Sequence, residues 1–262
     1  MNSDEDRYAI RSVDRALDIL ECVAGQNGEL TVDQIVSATG LPKSTAFRVL
    51  ATLTGRRLLE RDPQNQTYRL GMLALVIGAR AMGDLDLRRA ARPHLENLVA
   101  VTGETVHLSI LSADNALCID KVDASRSMRM ASFVGFLDPL HCSGVGKALL
   151  AFQDEPVRQQ LIGRMRLDPH TRHTITDPDR LVAQIDEIRA RGYAVDDEEI
   201  EEGLRCVAAP IRDHSGSVIA AVSISGPTTR VTDASLSDLA IAVEGCAQTI
   251  SRELGAPQGK TT

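Results

Sequence analysis

Arg48 is the side chain along this chain best equipped to read another molecule. It lies in the stretch Thr31–Leu53, TVDQIVSATGLPKSTAFRVLATL, with Thr31, Lys43, Ser44, Thr45, Phe47 and Thr52 as further candidate contacts. A guanidinium fork can bond O6 and N7 of a guanine together, and short hydroxyls reach phosphates or base edges. The set therefore reads as a contact to double-stranded DNA, with Phe47 either on a thymine methyl or packed behind. Lys43 falls in a helix first turn, where the dipole disfavours a cation by about 0.3–1 kcal/mol. An external phosphate is its expected partner. Other groupings carry less. Ser143-Gly144-Val145-Gly146-Lys147 looks like part of a phosphate loop. The Walker pattern, however, needs glycine where His141 stands and Ser or Thr where Ala148 stands. The run Asp196-Asp197-Glu198-Glu199, with Glu201 and Glu202, could suggest metal or acid–base work but reads as a solvated loop with only Asp196 reaching inward. His170 and His173 are three apart with no further ligand near them in sequence, which suits surface histidines better than a zinc site. Cys142 and Cys206 leave a thiol-based metal or redox role open, although no base partner for a nucleophilic Cys206 is visible.

The elements that must carry these residues follow from periodicity. Thr31 and Gln34 make a capping box for one short helix, with Ile35 and Val36 on its apolar side, and Gly40 ends it. Pro42 suits the first turn of the next, in which Ala46, Val49, Leu50 and Leu53 form a buried stripe. Helix, tight turn and polar-faced second helix is the layout of a helix-turn-helix. A plain αα-hairpin facing water is the alternative. Ser12 can cap a preceding helix through Val13, Ala16, Leu17, Leu20 and Ala24. Leu58–Arg61 and Thr67–Leu70 read as a hairpin about Asp62–Gln66, placed as a wing. Asn65, Gln66 and Tyr68 are its candidate backbone contacts, and a capping hairpin that touches no DNA is the competing account. Met72–Met82 is apolar on nearly every side, which suits a dimerisation helix or one buried in a second domain.

From Leu85 the pattern changes to a helix through Leu95, Leu98 and Val101, then strands at Thr105–Leu111, Ala116–Val122 and Ser127–Val134. Helices at Val145–Phe152, Asp154–Ile162 and Pro178–Arg191 follow. Strands at Tyr193–Val195, Leu204–Ile211 and Val218–Ser225 precede a last helix capped by Asp233. This is an α+β domain with an antiparallel sheet. Ser223 and Ser225 alternate on one strand and so share a face. Two inward hydroxyls on an apolar strand suit a polar ligand, with simple packing against helices as the alternative.

At 262 residues the chain allows two domains; 43% hydrophobic and 25% charged residues are ordinary for a soluble protein. The net charge of −7 argues against coating nucleic acid everywhere. Lys43–Arg69 nonetheless holds six basic residues against two acidic ones, leaving −11 on the rest and localising any polyanion contact. Five cysteines without a CxxC pair fit a reducing compartment. The polar start MNSDEDRY and the lack of a long apolar run point to a cytoplasmic protein with no membrane partner.

Seven segments, in order, resemble the IclR family (isocitrate lyase regulator type) of bacterial transcriptional regulators. They are SVDRALDIL, TGLPKSTAFRVLATL, YRLG, TGETVHLSI, DPLHCSGVGKALLA, RGYAVDDEEIEEGLRCVAAPI and AAVSISGPTTRVTD, kept from about residue 11 to 255. The resemblance implies a tail at 1–10, a winged helix-turn-helix at 11–71, a linker helix at 72–84, a GAF-like effector domain at 85–255 and a tail at 256–262. It implies homodimers or homotetramers on a palindromic operator, with RNA polymerase a further candidate partner and no cofactor. It implies a repressor governed by a small organic acid or aromatic catabolite. Carried over by position, the effector would meet Ser127, Met130, Gly144, Val145, Asp196, Leu204, Cys206, Ser223 and Ser225, the amides of Gly144 and Val145 facing a carboxylate. An enzyme using Cys206 or Asp196, with a vestigial DNA-binding domain, is the alternative from another class. A DNA-bridging protein without ligand is a third.

Overall fold

The computed structural model describes residues 10–25, 29–83, 86–124 and 132–257. The chain divides into two compact units, Met1–Asp84 and Leu85–Thr262.

In the first unit, α1 (Arg11–Ala24), α2 (Val32–Thr39) and α3 (Lys43–Gly55) pack around Ile19, Val23, Ile35, Ala46, Leu50 and Leu53. Thr31 caps α2 in a complete capping box: its hydroxyl accepts from the Gln34 amide at 3.4 Å, and the Gln34 side-chain oxygen accepts from the Thr31 amide at 2.8 Å. Such a cap is worth about 1 kcal/mol. Gly40 closes α2 in the left-handed region at φ 67°. Two caps differ from the sequence reading. Ile10, without a side-chain bond, precedes α1, so Ser12 lies inside the first turn. Pro42 sits at the N-cap of α3, one residue before the helical turn it was expected to open.

The wing is β2 (Leu59–Arg61) and β3 (Thr67–Leu70), joined by β1 (Leu30–Thr31) in the order β1-β3-β2. The two-residue β1 is too short for alternation to reveal; it is held by pairing Leu30 with Tyr68 and Thr31 with Thr67. Helix α4 (Met72–Gly83) completes the unit, and Met72, Leu75, Val76 and Ile77 are exposed on it.

The second unit is built on a six-stranded antiparallel sheet in the order β6-β5-β4-β9-β8-β7. The strands are β4 (Thr105–Ser112), β5 (Asn115–Val122), β6 (Leu137–Pro139), β7 (Ala194–Asp197), β8 (Leu204–Arg212) and β9 (Val218–Pro227). One face carries Val106, Leu108, Val207, Ala209, Val222 and Ile224 against α5 (Asp86–Thr102) and α9 (Asp233–Glu253). On the other, α6 (Gly144–Ala151), α7 (Glu155–Arg164) and α8 (Pro178–Arg191) share a core with Ala194, Ala208 and Ala221. Period-two alternation produces this division.

The third strand is not where the sequence placed it. Of Ser127–Val134, residues 127–131 lie outside the described set, and 132–134 are not strand. Gly135, at φ 99°, reverses the chain, and the edge strand β6 pairs with β5 at Leu137↔Leu117. Helix α9 is capped by Thr232 with Ser235, not by Asp233, because the hydroxyl closes the reciprocal bond.

Helix α6 approaches the sheet through glycine. A Cβ on Gly144 would stand 3.1 Å from the Cys206 Cβ, and one on Gly146 only 2.4 Å from the Pro139 carbonyl oxygen. Gly146→Ala is therefore expected to force a backbone shift and cost about 1–3 kcal/mol, read as a lower urea midpoint. An unchanged midpoint would mean that this turn relaxes freely.

Candidate nucleic-acid interface and ligand site

Burying Ala46, Leu50 and Leu53 turns the opposite side of α3 outward. Ser44, Phe47, Arg48 and Thr52 are exposed and Thr45 is half-buried. No acidic group lies within ion-pair distance of Arg48 among the described residues. A cavity of about 410 Å³ beside it is bordered by Arg15, Thr45, Arg48 and Thr52. Arg15 was missed in the sequence because charge was weighed only from Lys43 onward; its place on α1 is what brings it in.

Other members of the expected set are committed elsewhere. Lys43 pairs with Asp33 at 2.6 Å, so α2 supplies the anion that local rules seemed to demand from outside. Thr31 is used in its capping box, and the Thr52 hydroxyl donates to the Arg48 carbonyl at 2.9 Å. In the wing turn the Asp62 carboxylate accepts from the amides of Gln64 (2.7 Å) and Asn65 (3.3 Å) and from the Asn65 side chain (2.9 Å). These bonds, the Gln64 amide first, hold the Asp62 pKa below its usual range. Gln66, at φ 57°, donates to the Pro63 carbonyl at 2.6 Å and accepts from Arg61. Asn65 and Gln66 remain exposed but shape the turn. Tyr68 is different: its side chain is 5% exposed and belongs to the core with Ile19, Ile35 and Leu50, which takes it away from a backbone contact.

In the second unit the polar residues gather on the sheet face that α6 covers. Cys206 lies opposite Ser225 in register, Ala208 opposite Ser223, and His107 of β4 on the other side of Ser223. Leu204 shares the Cys206 face by alternation. The Ser225 hydroxyl is 3.5 Å from His107 Nδ1, and His107 Nε2 is 2.7 Å from the Ser132 hydroxyl. Burial first, and then the Lys121 charge, pull the His107 pKa down to about 4, so the ring is neutral at physiological pH. His107 was overlooked, although Thr105, His107 and Ser109 alternate in TGETVHLSI and could have flagged a polar stripe.

Gly144 and Val145, both buried, open α6 over this face. Ser143 caps the helix, accepting from the Gly146 amide at 3.1 Å and donating to the Pro139 carbonyl at 2.7 Å. Lys147, fully buried, pairs with Glu199, whose own amide donates to Asp196 at 2.8 Å. Glu199 thus departs from the solvated-loop reading: the pairing with Lys147 draws it inward. Asp196 is wholly buried, and its Oδ2 has no hydrogen-bond partner among the described residues. Gly144, Val145, Asp196, Leu204, Cys206, Ser223 and Ser225 therefore lie about one region; Ser127 and Met130 fall outside the described residues.

Sequence profiles match both units. One described as the IclR helix-turn-helix domain covers residues 12–63, and one for the bacterial transcriptional regulator IclR C-terminal region covers 79–252. The chain belongs to the IclR family. Among curated IclR-like proteins, the HTH-type transcriptional regulator BhcR of Paracoccus denitrificans is 42% identical over 94% of this chain and 88% of its own length. The transcriptional repressor IclR of Escherichia coli is 34% identical over 94% and 90%. Among solved structures, an IclR homologue from Microbacterium hydrocarbonoxydans complexed with 4-hydroxybenzoate superposes with a TM-score of 0.79 at 27% identity, covering 93% of this chain and 98% of that one.

The IclR family and these relatives are transcriptional regulators, not enzymes. The chemistry at Cys206 agrees: burial, then the Asp196 charge, raise its thiol pKa well above the ordinary value, the reverse of what a nucleophile needs. No helix among the described residues is long and apolar enough to cross a membrane.

Burial also raises the Asp196 pKa from 3.8 to about 7, with Lys147 and backbone amides pulling partway back. The folded chain then keeps a proton that the unfolded chain releases above about pH 4. This stability is present below that pH and lost as pH rises through about 7. Asp196→Asn is expected to gain on the wild type in urea denaturation between about pH 5 and about pH 8. A pH-independent difference would mean that Asp196 is ionised throughout.

Proposed function

We propose that this IclR-family regulator is a repressor whose operator affinity is set by a small organic acid or aromatic catabolite bound under α6. The observation that carries the reading is the buried polar stripe on an otherwise apolar sheet face. Ser223, Ser225, Cys206 and His107 lie along it, at the same place as an Asp196 oxygen that has no hydrogen-bond partner among the described residues. Buried polar atoms are costly when unpaired, and a ligand offering a donor and a carboxylate would relieve that cost. The Gly144 and Val145 amides, at the start of α6, would meet the carboxylate end. The 4-hydroxybenzoate bound by the Microbacterium homologue has both functions and supports this chemical class.

On the DNA side, Arg48 reads a base edge, and Ser44, Thr45 and the wing tip at Asn65 and Gln66 approach the backbone. The exposed apolar side chains of α4 are covered by a second copy of the chain, in a dimer or a pair of dimers. Two-fold symmetry then calls for a palindromic operator, with RNA polymerase as the competitor or contact at the promoter. Such a protein works in the cytoplasm.

The decisive experiment is selection of sheared DNA from the source genome by the purified protein. One palindromic intergenic site should be enriched, and Arg48→Ala should weaken binding to it by about 1–3 kcal/mol while relaxing its sequence preference. Equal weak binding everywhere, or an Arg48→Ala variant with unchanged preference, would overturn the interface. The double variant Ser223→Ala, Ser225→Ala should hold the operator as tightly as the wild type yet no longer release it with effector. The adjacent operon nominates that effector. A double variant that loses DNA binding instead would sink the pocket assignment.

A further inference from the structure

Three side chains from two separate segments converge beside the effector region without belonging to it. His141 and Cys142 end the segment that leads into α6, and both are buried. His170 comes from the connection between α7 and α8 and is exposed. One donor atom from each of the three lies within 4.8 Å of the other two. The imidazole rings of His141 and His170 have centroids 5.9 Å apart and are tilted by 40°.

The surroundings are those a ligating histidine requires. His141 Nε2 is 3.0 Å from the Asp168 carbonyl oxygen. A carbonyl only accepts, so Nε2 carries the hydrogen and the lone pair of the neutral ring is on Nδ1. Fixing the tautomer through a backbone carbonyl is the usual outer support of a metal-bound imidazole. The His170 segment is tied down as well: the Thr171 and Thr174 hydroxyls donate to the Glu198 and Glu199 carbonyls, each at 2.6 Å. A cavity of about 400 Å³, bordered by His141, His170, Asp168, Arg164 and Arg166, gives an entry path from solvent. His173, which sequence spacing pairs with His170, instead accepts from Arg172 at 3.0 Å and is not in the cluster.

We propose that His141, Cys142 and His170 bind one divalent transition-metal ion, Zn²⁺ by preference, with a fourth position open to the cavity. Imidazole and thiolate together favour zinc over the hard cations magnesium and calcium. Zinc bonds of about 2.0–2.3 Å place tetrahedral donors roughly 3.3–3.8 Å apart, so closing the site asks for about 1 Å of movement. The exposed His170 can supply that movement while the buried pair stays in place. Binding releases the Cys142 proton to solvent and leaves a metal–thiolate bond. Because Ser143, the N-cap of α6, follows Cys142 directly, the ion would pin the start of α6 to the α7–α8 connection.

The test is a titration of the metal-stripped full-length protein with Co²⁺, followed by competition with Zn²⁺ and elemental analysis after dialysis. The expected result is one metal per chain, with a tetrahedral cobalt spectrum and a thiolate-to-cobalt charge-transfer band. Cys142→Ser should abolish that band. His170→Ala, at an exposed position, should weaken affinity by more than the roughly 10–100-fold cost of losing an outer-shell partner. His173→Ala should bind as the wild type does. Should Cys142→Ser fail to fold, the wild-type band and the His170→Ala affinity decide. Less than stoichiometric metal, absence of the charge-transfer band, or binding indifferent to His170→Ala would each overturn the proposal.

Discussion

The second unit depends on one buried ionic cluster. Lys147 is wholly enclosed, and the groups that meet it are Glu199, within bonding distance, and Asp196 behind. One cation facing two carboxylates cannot neutralise both, and the desolvation of all three is expensive. The arrangement divides the strain. Glu199 takes the lysine, while Asp196 takes amide donors and a pKa raised by burial. Removing either partner of the Lys147–Glu199 pair would strand a charge at a cost of about 3–5 kcal/mol. The cluster therefore fastens the turn after β7 to the middle of α6.

That fastening sets where the proposed ligand chemistry would lie. With Lys147 anchored, the first turn of α6 lies against β8, closely enough that a Cβ at 144 would crowd the Cys206 Cβ at 3.1 Å. The amide-rich helix start then faces the strip where Ser223, Ser225, Cys206 and His107 point the same way. The acidic run and the lysine of the SGVGK segment, unrelated in sequence, are thus two halves of one support. The lysine reaches a carboxylate of the protein where a Walker lysine would reach a phosphate.

Much of this was legible beforehand, and the failures have definite causes. Long periodic elements such as α3, α8, β8 and β9 came through because burial repeats along them. The β1 strand did not, since two residues carry no period, and neither did β6, whose three residues follow a glycine turn. Caps were misplaced by one residue at Pro42 and Asp233 and by two at Ser12, where a plausible capping residue lay beside the position actually used. Of the site residues, Tyr68 was lost to the core because it clusters with Ile19, Ile35 and Leu50, on helices distant in sequence. Glu199 was hidden because its partner, Lys147, is 52 residues away. Long-range pairing of polar groups leaves no local pattern to read.

The same accounting changes how the basic stretch around α3 should be understood. Six basic residues against two acidic ones suggest an even positive surface. In the fold, Lys43 is held by Asp33, and Arg69 is shared between Glu29 at 3.3 Å and Glu60 at 3.0 Å. Arg61 is turned toward Gln66 and the Tyr68 ring. What remains unspent is Arg48, with Arg56 and Arg57 at the end of the same helix, all three exposed. A chain of net charge −7 can hold DNA only where its own carboxylates do not compete, because each phosphate contact draws its free energy from counterion release. Acidic residues on α2 and the wing quench the flanking cations. That leaves the usable charge on α3 with Arg15 of α1 beside it, so on the proposed reading recognition would rest on the orientation of α3 more than on the total charge of the unit.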